Sequence, residues 1–182
     1  IRSRGLGDVY KRQELLSGHA GLQAWIPFYK MTLDEENKPS SKYYSFKRNK
    51  INSLKVAPDL FLRADYIDTI RNIIKESDLL KTKYKYSDLS YLIIQEYIED
   101  YYNKNLEEII DELMFKKLGI NLTYNPFLKY STYNVAPTEI DEYFRYKEIN
   151  GYVHDMAAAM FGGISSHAGL FGNCLLYTSP SP

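Results

Sequence analysis

Tyr86-Ser87-Asp88 places a phenol two residues from a carboxylate, directly ahead of the apolar run Leu89 to Ile94. A tyrosine passes protons in acyl transfer only if its phenol ionises near neutral pH. Its free pKa lies about 3 units too high, a cost of roughly 4 kcal/mol. Exposed neighbours such as Lys83 and Lys85 supply about 1 kcal/mol or less through water, so buried cations from elsewhere would be required. The same triplet is also a sound helix start, with Ser87 or Asp88 as cap and Tyr86 stapled against Tyr91. Local sequence leaves both readings open. The other groups suited to chemistry are His19, His154, Asp155 and His167. The histidines lack the His-Glu-x-x-His spacing of a zinc helix. There is no Gly-x-Ser-x-Gly elbow, no glycine-rich phosphate loop, and no serine followed three residues later by lysine. No metal or cofactor is implied.

The two ends of the chain set apart what can be read from its middle. Ser3 to Gln13 reads SRGLGDVYKRQ and Cys174 to Pro182 reads CLLYTSPSP. Asp8 to Gln13 matches the translation of a transposon mosaic-end sequencing adapter, and 174–182 matches its reverse complement. Residues 1–13 and 174–182 are therefore expected to be adapter-derived and are kept out of fold reasoning. The interior, 14–173, then carries 19 basic against 22 acidic residues, a net −3. That balance argues against a nucleic-acid surface, which needs a basic face. The lone cysteine, Cys174, falls in an adapter tract, so a disulfide framework is not indicated. No apolar run approaches the roughly 20 residues of a membrane helix, and the length suits one ordinary domain. The 18 tyrosines accompany abundant Ile, Lys and Asn, a bias that AT-rich codons explain.

The elements that must position these groups follow from periodicity. Ile67, Ile70, Ile73 and Ile74 share one helical face, with Asp65 available as N-cap. Leu89, Leu92, Ile93 and Tyr97 give a second helix that frays near Asn103. Leu106, Ile109, Ile110, Leu113 and Met114 give a third, stopped at Gly119. Ser53 to Arg63 alternates, but Pro58 interrupts it, which predicts short edge strands or irregular structure. Residues 125–155 show little period, as a functional loop or a segment packed on something else would. Leu15, Leu16, Trp25 and the helical Ile and Leu positions are expected in the core.

Beyond these local readings, Leu15 to Leu22 (LLSGHAGL) resembles the Leu-Leu-x-His-x-Ser-Gly-Leu segment that follows the nucleophile helix in class C β-lactamases and related serine hydrolases. Tyr86-Ser87-Asp88 falls at that family's Tyr-x-Asn motif. Pro137-Thr138-Glu139-x-Asp141, Phe144-Arg145, Gly151 to Asp155, Gly162-Gly163 and His167 to Phe171 extend the match in order. The series resembles the penicillin-binding-protein-like serine hydrolase domain that many Bacteroidetes carry fused behind a family-three glycoside hydrolase, and it covers 14–173. This resemblance implies an α+β fold, an antiparallel sheet flanked by helices plus an all-helical region, of which this chain is a mostly helical internal piece. It implies acyl transfer by the serine of a Ser-x-x-Lys motif on a small-molecule or cell-wall-derived substrate, in the periplasm or cell envelope. Tyr86 takes the proton-transfer role, while Asp88, His154, Asp155 and His167 bind substrate or line the site. For the two histidines and Asp155, hydrogen bonds that simply fix the loop are an equal reading. The departures are the missing nucleophile and the missing late Lys-Thr-Gly strand, since Lys81-Thr82-Lys83 lacks the glycine and precedes the tyrosine. Asp88 also stands where the family has Asn, and an ionised carboxylate accepts hydrogen bonds but donates none. By itself the chain is expected to be inactive. Alternatives are a non-catalytic binding or scaffolding module on the same fold, or a small helical binding domain.

Overall fold

A computed structural model describes residues 9–81 and 83–178. Positions 1–8 and 179–182, in the expected adapter tracts, and Thr82 of the Lys81-Thr82-Lys83 triplet lie outside the described residues. Helices and antiparallel strands occupy separate blocks of chain, an α+β arrangement. Helix α1 (Val9–Leu16) crosses the expected adapter boundary and leads into a glycine loop. A 3-10 turn at Phe28–Thr32 then buries Phe28 and Thr32.

Strands β1 (Tyr44–Ser45), β2 (Asn52–Ala57) and β3 (Leu60–Arg63) form an antiparallel sheet in the order β1-β3-β2. Pro58 and Asp59 are the turn of the β2–β3 hairpin. The proline that made this stretch look interrupted sits where no ladder donor is needed. Helix α2 (Tyr66–Glu76) buries Tyr66, Ile70 and Ile74. Asp65 precedes it without capping it, because both carboxylate oxygens accept from Arg63 at 2.6 Å. Helix α3 (Asp88–Tyr102) turns Leu89, Leu92 and Gln95 inward and ends at Asn103, which is left-handed with φ 50°.

Helix α4 (Leu106–Ile110) opens with a reciprocal box: Asn105 Oδ1 accepts from Glu108 N at 3.0 Å, and the Glu108 carboxylate accepts from Asn105 N at 3.3 Å. It continues through a π-helical segment (Asp111–Phe115) and α5 (Lys116–Leu118) to Gly119. The aperiodic stretch 125–155 holds the antiparallel hairpin β4 (Pro137–Asp141) and β5 (Lys147–Asn150). Helix α6 (Met156–Met160) and α7 (Cys174–Thr178) follow, the latter inside the second expected adapter tract. No helix among the described residues is long and apolar enough to cross a membrane.

One core joins these blocks: Phe28, Val56, Leu60, Leu62, Ile70, Leu89, Leu92, Phe144, Ala158 and Met160 are all buried. Several expected core residues are not in it: Leu16, Trp25 and Leu113 are exposed, and Leu106 and Ile109 are buried apart from this cluster. Leu15 is buried but Leu16 is 61% exposed, since consecutive helical residues point about 100° apart and only one of the pair faces the core. Trp25, 58% exposed, stands on the rim of the cleft described next.

Candidate active site

Two irregular backbones running side by side set the position of Tyr86 and Asp88. Leu80 N donates to Gly21 O at 2.6 Å, Lys85 N to Gly18 O at 2.7 Å and Asp88 N to Ala24 O at 2.9 Å. The Ser87 hydroxyl adds a fourth link, donating to Gln23 O at 2.6 Å. Gly18 and Gly21 both have φ +72°, and a Cβ on either would come within 2.9 Å of the facing carbonyl, Lys85 O or Leu80 O. The two glycines of LLSGHAGL therefore admit the close approach. The helix-start reading of the triplet holds only in part. Ser87 is the extended N-cap residue of α3, yet its side chain makes no cap bond. The staple is present: the Tyr86 and Tyr91 rings lie 6.0 Å apart.

Asp155 reaches the same cleft from the other side. Its placement begins at Arg145, whose guanidinium is fully buried. Arg145 donates to Asp141 Oδ2 at 2.7 Å, Glu139 Oε1 at 3.0 Å, Val153 O at 2.7 Å and His154 O at 2.8 Å. Asp141 Oδ1 in turn accepts from Phe144 N at 2.8 Å and Tyr143 N at 3.1 Å. This clamp ties the β4–β5 hairpin to the backbone that enters α6. Asp155 is the N-cap of α6, accepting from Ala158 N at 2.7 Å and binding His167 Nε2 at 3.0 Å. His167 Nδ1 meets Ser165 Oγ at 2.8 Å. Asp88, Asp155, Trp25, Phe28, Leu92 and Met156 line the resulting cleft.

Electrostatics in the cleft run against a phenolate. Burial raises the Tyr86 pKa, and Asp88, Tyr91 and Asp155 raise it further. Burial also raises Asp88; His167 pulls it down, Asp155 pushes it up, and a hydrogen bond with Tyr86 lowers it. Burial would raise Asp155 too, but bonds from His167 and Ala158 and the charge of His167 hold it below the usual carboxylate range. No lysine is among the groups that act on Tyr86.

Four of the five expected site residues thus gather: Tyr86, Asp88, Asp155 and His167. His154 does not join them; its ring is 60% exposed and pairs with Glu139 Oε2 at 3.0 Å. His167 is present but does not line the wall, since its side chain is 2% exposed and lies beneath Asp155. The Ser165–His167–Asp155 series has the bonding order of a hydrolase triad. Ser165 is 1% exposed, however, and its hydroxyl is enclosed by His167 and Gln95. A substrate carbonyl has no path to it. Trp25, Ser165, Gln95 and Arg145 were not legible as site residues. Only Arg145 left a trace, in the acidic residues four and six positions before it.

Several curated proteins are similar to this chain. A "Putative D-alanyl-D-alanine carboxypeptidase" of Escherichia coli (strain K12) is 32% identical over 105 residues, 50% of this chain and 24% of that protein. A protein of the same name from Salmonella gallinarum (strain 287/91 / NCTC 13346) is 31% identical over 134 residues, 65% of this chain and 31% of its own length. Another, from Salmonella newport (strain SL254), is 32% identical over 105 residues, with 50% and 24% covered. The chain spans about a quarter to a third of the length of these curated relatives. These likenesses are consistent with a penicillin-binding-protein-like serine hydrolase. No family model matches the chain, and no solved structure gives a significant match.

Proposed function

We propose that this chain is part of a penicillin-binding-protein-like serine hydrolase that transfers or hydrolyses the acyl group of a peptidoglycan-derived amide or ester, with Tyr86 as its proton-transfer group. The observation that carries the reading is that the paired segments 18–24 and 80–88 hold Asp88 on the cleft with Tyr86 beside it, in a chain similar to carboxypeptidase-named relatives. Tyr86 is 55% exposed, so its side chain is open to a reacting group. In such a reaction the phenolate takes the proton of an attacking serine hydroxyl while the serine oxygen bonds to the carbonyl carbon. It returns the proton to the leaving nitrogen or oxygen as the acyl bond breaks, and water then releases the acyl group.

The serine, and the lysine that lowers the Tyr86 pKa, belong to a Ser-x-x-Lys segment that this sequence does not contain. Within the 182 residues Tyr86 is a neutral phenol, so the chain alone is inactive. Asp88, acceptor-only when ionised, suits a substrate that offers an amide N–H. A glycosidase fused to the longer protein would release cell-wall fragments of that kind. A second reading, a binding module without turnover, draws on the same two facts: Asp88 in place of Asn and an unassisted Tyr86.

The longer protein decides between them. Incubated with a fluorescent penicillin or a fluorophosphonate, it should become covalently labelled at the serine of Ser-x-x-Lys. Tyr86→Phe should slow labelling by about 10²–10⁴-fold, the range of a lost general base. A protein that lacks the motif, or takes no label, overturns the reading in favour of the binding module.

A further inference from the structure

The mechanism gives His167 no task, although its side chain is almost fully buried and both ring nitrogens are bonded. Hydrogen-bond accounting restricts its states. An ionised Asp155 only accepts, so His167 Nε2 carries the proton of that 3.0 Å contact. At Nδ1 the partner is Ser165 Oγ, 2.8 Å away, whose hydroxyl has a second acceptor, Gln95 Oε1, at 3.4 Å. With the hydroxyl proton on the Nδ1 side the ring is neutral. With that proton turned to Gln95, Nδ1–H donates to Ser165 and the ring is an imidazolium. Uptake of one proton from solvent at Nδ1, with one hydroxyl rotation, converts the first to the second with every heavy atom in place.

The surrounding bonds make this a rigid mount. Gln95 Oε1 accepts from Ser166 N at 3.0 Å and its Nε2 donates to Ile164 O at 3.3 Å, while Ser166 Oγ donates to Tyr91 O at 2.6 Å. The loop that carries His167 is thereby fastened to α3, the helix that carries Asp88. Asp155 stands at the head of α6, and among the described residues His167 is the side chain that bonds its shared oxygen. We propose that His167 is the positioning residue of the site: it fixes the Asp155 carboxylate at the cleft, beside Asp88 and Tyr86, and offsets part of the negative charge there. This rests on the reading of Tyr86 as the proton-transfer group. The groups that face Asp88 are Tyr86 on its own segment, Asp155 from α6 and His167 from the loop; those that face Tyr86 are Asp88, Tyr91 and Asp155.

The test is an NMR titration of the 182-residue chain with labelled Asp, Tyr and His side chains. It needs no acyl transfer, so its failure is distinct from a failure to label the longer protein. In the wild type, neutral His167 should be the Nε2–H tautomer. His167→Ala should raise the titration midpoints of both Asp155 and Asp88. His167→Gln, which keeps a donor but no charge, should restore Asp155 toward its wild-type midpoint and leave Asp88 raised. Asp155→Asn should lower the midpoints of Asp88 and Tyr86. Midpoints unchanged across these variants overturn the proposal. So does an Nδ1–H tautomer in the wild type, a measurement that stands even if a variant fails to fold.

Discussion

Asp88 shows how one atom's identity redirects a site. Burial and the nearby Asp155 raise its folded-state pKa. A raised carboxyl contributes stability that is full below its unfolded value, about 3.9, and is lost as pH rises through the folded value. At neutral pH an ionised Asp88 therefore costs stability. Asp88→Asn should raise the neutral-pH stability by under about 1 kcal/mol, since water still reaches this half-buried group, and the gain should shrink toward pH 3, as paired denaturant melts would show. Asp88 stood out as a candidate through the Tyr86-Ser87-Asp88 triplet; its environment was not legible. Tyr86 and Ser87 directly precede it, whereas Asp155 at the head of α6 and His167 in the loop beyond lie 67 and 79 residues on, and no local pattern encodes that meeting. His154 misleads for the opposite reason. It is one residue from Asp155, yet the N-cap turn of α6 leaves it in solvent beside Glu139.

At the scale of elements, the helices were readable because their apolar faces repeat: Ile70, Ile74, Leu89 and Leu92 are all buried. The β4–β5 hairpin was not, because hydrophobic alternation does not hold it. Ile149 is its main buried apolar residue, and Ile140 on the facing strand is exposed. Arg145 and Asp141 do the fastening instead. Burial alone would raise Asp141, but the bonds from Arg145, Phe144 and Tyr143 hold it below the usual carboxylate range. A depressed carboxyl contributes stability above its unfolded pKa and loses it as pH falls through the lower folded value. Removing one partner of a buried pair strands the other, at about 3–5 kcal/mol. Arg145→Ala should destabilise the chain by that amount at pH 7, and the gap from wild type should narrow in acid below about pH 4. Chemical denaturation at several pH values checks both.

For the molecule as a whole, the adapter reading of its ends yields a simple expectation. Among the described residues of the second expected adapter tract, none belongs to the core cluster. A chain ending at Asn173 should melt within about 2 °C of the full one, as the loss of described residues that lie outside the core cluster implies; a larger drop would tie that tract to the fold. The amino-terminal side differs, since Leu15 in α1 is part of the core. The other whole-molecule consequence lies in the pairing of 18–24 with 80–88. Its bonds join residues about 64 positions apart in the chain, as Ser87 and Gln23 show. Such contacts repay their loop-closure entropy late, whereas α2 and the β2–β3 hairpin lie within the intervening chain and close locally. The pairing that builds the cleft is thus expected to close after these local elements, and late protection of Leu80 N and Lys85 N in pulsed hydrogen exchange would show it. Gly18 and Gly21, which let the two backbones meet beside Tyr86, are then the residues on which the held geometry of the cleft depends.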